Sequence, residues 1–516
     1  MNETSGARIE VPIKQPFGLS ERIRWLRDYY FSGVERAWNN EFTCWTTGTP
    51  WDEIYDEVSF HIVPETYAFF DAFRGSTVQA ARTVPLPPGF WSRSLPERRA
   101  GFIRTVMADF VPAEVLPGDL LAGARFNLMA SRCWTEREAL ERGKRVYGKG
   151  GAREALARFH DHGYGNAGAT SAHLCPDYAR VLREGWQGIS ADLERRLAAL
   201  SERDRKGAKG AQLRAMITAA GMPRDVAAKY AAACRRLAET EADPGRRDEL
   251  LAVAGNLDRV PWQPPRTFWE AVQALWMTHM LVMSDENYPG AGLSFGRFDQ
   301  YLEPFWTASL EAGMDREFGK EILKCFWIHC NTVYDAMIKV GGNQGITAGF
   351  GQLVTLSGLG EGGLDRTNDL TWAVLEVIDE LSPILEPKPN VRLHSGTPDA
   401  LLDRVVAMIS GSQGAPFLLN FDERSMAGMM REARLGRCED RIHAGNVFEY
   451  APVGCLENTM VGNDRSGTVD VNLNLLKAVE LALTGGADLA NARDLITGAD
   501  LPIERTGPDT GDATRF

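Results

Sequence analysis

Residues 351–394, GQLVTLSGLGEGGLDRTNDLTWAVLEVIDELSPILEPKPNVRLH, switch twice between two periodicities. The runs at 351–359 and 384–394 are short, rich in β-forming residues and bounded by Gly, Pro and Asn. Between them 364–381 carries a helical pattern, and a second at 398–411 leads into a third β-type run, APFLLNF (415–421). This alternation predicts an α/β layer or barrel. Upstream the signal is helical. In CPDYARVLREGWQGISADLERRLAAL (175–200), Pro176 suits a first turn, and Tyr178, Val181, Leu182, Trp186, Ile189, Leu193 and Leu197 recur at three- and four-residue spacing. Ser20 reads as the cap of an earlier helix. PPRTFWEAVQALWMTHMLVM (264–283) and FGKEILKCFWIHCNTVYDAM (318–337) are so apolar that both helices must be largely buried. Downstream, VNLNLLKAVELALTGG (471–486) predicts a helix running into a Gly-Gly stop.

The 516 residues, 44% hydrophobic and 24% charged, suffice for a large core. Length alone suggests two to four domains, a count that large barrels break. A net charge of −12 without a basic run argues against nucleic acid or an anionic membrane surface as partner. The N-terminal residues lack the order of a signal peptide, and the most apolar window, 271–283, is too short to span a bilayer. A soluble, cytoplasmic chain is expected. The eight cysteines show neither a disulfide framework nor a CxxC pair, so most should be buried small hydrophobes.

GGNQGITAGFG (341–351) lacks the Lys-Ser/Thr of a phosphate loop, and a tight approach of its backbone to a ligand or strand is the better reading. His160 and His162 in HDHGYGN have no partnered ligand motif, and LSGLG does not complete a nucleophile elbow. EYAPVGCLENTMVGND (449–464) is different. Cys325 and Cys330 sit inside an apolar helical run, whereas Cys455 follows Gly454 on a turn-prone stretch with Glu457 two residues on. Ionic cysteine chemistry wants a His or a cation, and the local carboxylate would instead raise the thiol pKa. That setting fits a thiol that reacts as neutral S–H, by giving up a hydrogen atom.

Here the sequence resembles the glycyl radical enzymes, the pyruvate formate-lyase-like family. The resemblance rests on seven segments in family order: 115–127, 173–189, 260–276, 293–306, 352–376, APVGCLEN (451–458) and NLLKAVELAL (474–483). It implies a ten-stranded α/β barrel surrounded by helices, with a mainly helical part over 1–340, a strand/helix barrel part over 341–516 and a cysteine loop at 449–464. It implies that Cys455 is the thiyl residue, that Glu457 is a general acid or base, and that His173 and Ser294 fall at or near substrate contacts. No metal or organic cofactor is expected in this chain. A glycyl radical, installed by a separate radical S-adenosylmethionine activating enzyme, is the expected source of the unpaired electron.

Two departures shape the expectation. The Asp that diol dehydratases of the family place fourteen residues after the cysteine has Val469 in its place, with Asp470 one position late. That weakens dehydration and, with GCLE and SDENYPGAGLSFGR (284–297), favours an arylacetate-type decarboxylase. The C-terminal RVxGY-type glycine loop has no counterpart; RVYG at 145–148 lies at the wrong end. The expectation is therefore a truncated or split enzyme, with a partner segment supplying the other half-barrel and the glycine loop, in an oligomer. A radical dehydratase or other C–O, C–N or C–S lyase, and a non-catalytic scaffold, are the competing readings. A formate-lyase, which has adjacent cysteines, is the third.

Overall fold

The computed structural model describes residues 16–28, 66–70, 82–110, 113, 115–123, 127–130, 133–167, 173–285, 293–332, 352–382, 384, 386–411, 418–454, 457–463 and 471–483. The chain divides into two compact units, 1–133 with 172–466, and 134–171 with 467–516. The predicted approach at 341–351 lies outside the described residues, as do Val469, Asp470 and the Gly485–Gly486 stop.

Residues 21–28 are helical, and the Ser20 hydroxyl accepts the Ile23 amide at 3.2 Å, as a cap should. β1 (Thr66–Phe70), β2 (Arg82–Thr83) and β3 (Asn127–Ala130) form a small antiparallel sheet, with α1 (Leu95–Thr105) between β2 and β3 in the chain. The smaller unit contributes the next elements, α2 (Glu136–Tyr147), α3 (Ala152–Asp161) and β4 (Gly165–Ala167).

The larger unit resumes with a helical layer: α4 (Tyr178–Ala198), α5 (Glu202–Lys206), α6 (Ala208–Ala220), α7 (Met222–Thr240), α8 (Pro244–Arg259) and α9 (Phe268–Asp285). α4 starts one turn element later than expected. Pro176 stands outside it, and the Asp177 carboxylate caps it by accepting the Arg180 amide at 2.9 Å.

The α/β part follows. β5 (Gly296–Arg297) leads through α10 (Phe298–Glu311) and α11 (Arg316–Thr332) to β6 (Leu353–Ser357). α12 (Asp369–Leu381), β7 (Lys388–Leu393), α13 (Asp399–Gly411), β8 (Leu418–Phe421) and α14 (Asp422–Leu435) continue it. The four strands form one parallel sheet in the order β5-β6-β7-β8. Parallel pairing needs crossover helices, and they cover the strands, which is why β6 is buried throughout and its sequence lacks alternation. α9 and α11 are buried as expected; Trp276, Phe326 and Trp327 are fully enclosed.

An antiparallel hairpin, β9 (Tyr450–Val453) and β10 (Glu457–Met460), packs on β5 and β6. In the smaller unit, β11 (Val471–Leu473) pairs with β4 and precedes α15 (Leu475–Leu483). This corrects the helix read over 471–486. Its first residues form a strand because a distant partner, Gly165–Ala167, takes their backbone bonds, which local helical pattern cannot foresee.

Among the described cysteines, Cys133, Cys175, Cys234, Cys325 and Cys330 are buried and Cys438 is half-buried. Cys44 and Cys455 lie outside the described residues. Among the described residues no helix is long and apolar enough to cross a membrane.

Candidate active site

Parallel strands gather their chemistry at their carboxyl ends, because the loops that leave those ends are free to vary. Here the register aligns Ser357 of β6 with Arg392 of β7, and Arg392 with Asn420 of β8. Asp422 follows at the start of α14, and Arg297 ends β5. The hairpin is joined to this edge: the Asn420 side-chain amide donates to the Asn458 side-chain oxygen Oδ1 at 3.0 Å.

The hairpin pairs Val453 with Glu457, leaving Gly454, Cys455 and Leu456 as its connection. Cys455 and Leu456 lie outside the described residues; Gly454 and Glu457, which flank them, do not. Gly454 has φ of 56°, and a Cβ there would stand 2.2 Å from Nδ1 of His173. Glycine is thus required twice, by backbone sign and by the imidazole pressed against it. His173 Nδ1 meets Glu457 Oε1 at 3.1 Å, with the imidazole buried and the carboxylate mostly so.

Two predicted residues, 284 positions apart, therefore meet at the hairpin's end. The chain around His173 is held between two segments. The Leu174 carbonyl accepts the Ser294 amide at 3.0 Å, and the Cys175 carbonyl accepts the Gly462 amide at 2.9 Å. Ser294, fully buried, accepts the Leu353 amide at 3.1 Å and the Gly454 amide at 3.3 Å through one hydroxyl oxygen. It ties β6 to the connection that precedes Cys455. His173, Ser294, Gly454 and Glu457 thus form one cluster.

Sequence reasoning missed a second group at the strand ends. Arg392 is fully buried; its Nε and Nη2 donate to the two oxygens of Asp422 at 2.8 and 3.0 Å. Tyr450 donates its hydroxyl to Asp422 at 2.7 Å, and burial pushes that phenol well up, so it stays a donor. Burial, with Arg392 nearby, brings Arg297 down to about 10, a group still charged at neutral pH. Burial likewise raises Asp299, which accepts the Ser357 amide at 2.7 Å and the Thr371 hydroxyl at 2.6 Å. The signal was available: Arg392 inside NVRL and Asp422 closing LLNF are charges in apolar strand runs, and charges in such places are paired.

Among the described residues no group of three or more His, Cys, Asp or Glu side chains could hold a metal. The cluster offers an acid/base pair and a shaped turn.

Comparison with known proteins adds identity. The family model described as pyruvate formate lyase-like matches residues 129–516. The (2S)-3-sulfopropanediol dehydratase of Klebsiella oxytoca is 31% identical over 68% of this chain and 40% of its own length. The indoleacetate decarboxylase of Tractidigestivibacter scatoligenes is 32% identical over 50% of this chain and 29% of its own. The crystal structure of hydroxyproline dehydratase from Clostridioides difficile, with trans-4-hydroxy-L-proline bound, superposes with a TM-score of 0.67 at 20% identity. That superposition covers 97% of this chain and 61% of the dehydratase. The chain thus matches two fifths or less of those two curated relatives and about three fifths of the solved structure.

Proposed function

The chain belongs to the pyruvate formate-lyase-like family, and on that premise we propose that it carries the thiol and proton-transfer residues of a glycyl radical lyase. A glycyl radical, installed by a radical S-adenosylmethionine activating enzyme, supplies an unpaired electron and accepts one hydrogen atom. Cys455 gives up the hydrogen atom of its S–H and becomes a thiyl. It then takes a hydrogen atom from a substrate C–H, which restores the thiol and leaves the odd electron on carbon. A bond next to that carbon breaks, and the product radical takes the hydrogen atom back from Cys455. Glu457 handles the proton that accompanies bond breaking, with His173 fixing the carboxylate and Ser294 supporting the turn. The neutral thiol needs no activating cation, which suits a site where the imidazole is engaged by a carboxylate.

The observation that carries this reading is the 3.1 Å contact of His173 with Glu457 beside Gly454. It also favours elimination of a hydroxyl. The pair takes the proton of a hydroxyl on the radical carbon and gives one to the leaving oxygen, so that water departs and charge balances. Decarboxylation of an arylacetate, favoured by the sequence, is the second reading; similarity to the indoleacetate decarboxylase over half the chain supports it. Incubating the activated assembly with a 1,2-diol such as 3-sulfopropanediol and, separately, with indoleacetate tests the choice. Aldehyde from the diol is the expected result. Carbon dioxide from indoleacetate alone would replace elimination by decarboxylation. No product and no hydrogen exchange with either would favour the scaffold reading.

The proposal includes partners: a small-molecule substrate, the activating enzyme, and polypeptide that continues the barrel. β8 has a hydrogen-bonded neighbour on one side only among the described residues. α13, the crossover helix that leads into β8 in the chain, exposes Leu402, Val406 and Ile409 on one face. Further strand and helix of the barrel are the occupants that this edge and stripe fit.

A further inference from the structure

Two buried guanidiniums hold the base of the hairpin. Arg392 Nη1 donates to the carbonyls of Phe448 at 2.8 Å and Tyr450 at 3.1 Å. Arg392 Nη2 also reaches the Leu359 carbonyl at 3.2 Å, and the guanidinium carbon lies 4.1 Å from the Tyr450 ring centroid. Arg297 Nη1 donates to the same Phe448 carbonyl at 3.0 Å, and its Nη2 to the Ser357 carbonyl at 3.3 Å. Asp422 closes the set by accepting from Arg392, Tyr450 and the Leu359 amide at 2.6 Å. Gly358, at φ of 89°, leaves room: a Cβ there would lie 2.7 Å from Arg392.

Burying an ion pair is a weak route to stability, since desolvation offsets the attraction, and its best-attested use is to fix register. The geometry has that form. Four donors of two rigid forks fall on carbonyls of Phe448 and Tyr450, which enter β9, and on the strand ends that face them. Moving the hairpin by one residue would present different carbonyls and turn Glu457 to the other face.

We infer that Arg392, Asp422 and Arg297 are positioning residues that set the register and depth of the hairpin bearing Cys455 and Glu457. None of the three touches the Glu457–His173 pair in the described contacts. They act through the backbone of residues 448–450. The catalytic consequence rests on the reading above; the mechanical one does not.

The test is residue-resolved hydrogen exchange on the full chain in its native assembly, with turnover measured alongside. Arg392→Lys keeps the charge and loses the fork. The double variant Arg392→Met/Asp422→Leu removes both charges and leaves no uncompensated ion. In both, amides of 450–453 and 457–460 should exchange at least tenfold faster, while β6 and β7 keep their protection. kcat should fall at least tenfold with KM little changed. Tyr450→Phe, which keeps the fork, should show a smaller effect of the same kind. Unchanged hairpin exchange in a folded double variant would overturn the inference. Global loss of protection in the double variant would also overturn it, because the pair would then hold the whole fold. A loosened hairpin with parental kcat would refute the catalytic part. If the parent assembly itself lacks radical turnover, the proposed function fails, and hairpin exchange still decides the clamp.

Discussion

Gly454 and His173 compete for one space. A methyl group at 454 would sit 2.2 Å from the imidazole and on a backbone of the wrong sign. Gly454→Ala should therefore destabilise by about 1–3 kcal/mol and lower turnover more than stability, because the turn leads directly to Cys455. Adding His173→Ala should restore part of the stability, a coupling expected of groups in contact. Additive losses, read from urea midpoints, would show that the close approach is not the cause. Glu457→Gln should lower kcat by roughly 10²–10⁴-fold, the range for a lost general acid or base. An unchanged rate would make Glu457 a structural partner of His173. At this scale the sequence was legible where a residue broke its local pattern, as Cys455 and Glu457 do. Arg392 and Asp422 also break theirs, but the carbonyls that Arg392 binds lie 33, 56 and 58 residues from it and could not be read from it.

α9 buries His279 completely. Its Nδ1 meets the Tyr178 hydroxyl at 2.6 Å, its Nε2 the Gln352 side-chain oxygen at 2.8 Å, and Phe295 stacks on it. Burial pushes this imidazole down to about 3 from an ordinary 6.5. The unfolded chain then binds the proton more readily than the folded one. Stability should be full above pH 6.5 and fall as pH drops from there towards 3, by about 1.4 kcal/mol per unit inside that window. Denaturant midpoints at pH 7.5 and pH 5 measure the slope in the parent and in His279→Gln. The variant should be less stable at pH 7.5 but less acid-sensitive; equal slopes would contradict this origin. Elements were the most legible scale. The alternation around 351–421 returned β6, α12, β7, α13 and β8, with α12 starting only after its Asn368 cap. β11 was lost because a three-residue strand is decided by its partner. The pairing of β9 with β10 was not read because Pro452 and Gly454 signal turn more strongly than strand.

Each of the two units presents apolar surface on a helix. Leu402, Val406 and Ile409 line one side of α13 in the larger unit, and α15 in the smaller exposes Leu475, Leu476, Val479 and Leu483. Residues 1–516 expressed alone should bind a hydrophobic dye or self-associate, and Val406→Glu with Ile409→Glu should reduce both without changing helix content. A monomer that binds no dye and unfolds cooperatively would remove the basis for a partner on this face. The order of segments made the α/β class and family readable from sequence. The assembly and reaction are less so, since both depend on surfaces that meet only in three dimensions. The central claim is hydrogen-atom transfer at Cys455. Electron paramagnetic resonance and product formation, recorded together on the activated assembly carrying Cys455→Ala, test it most directly. A glycyl signal of parental intensity and no product are expected. Product formed at near the parental rate would contradict the claim.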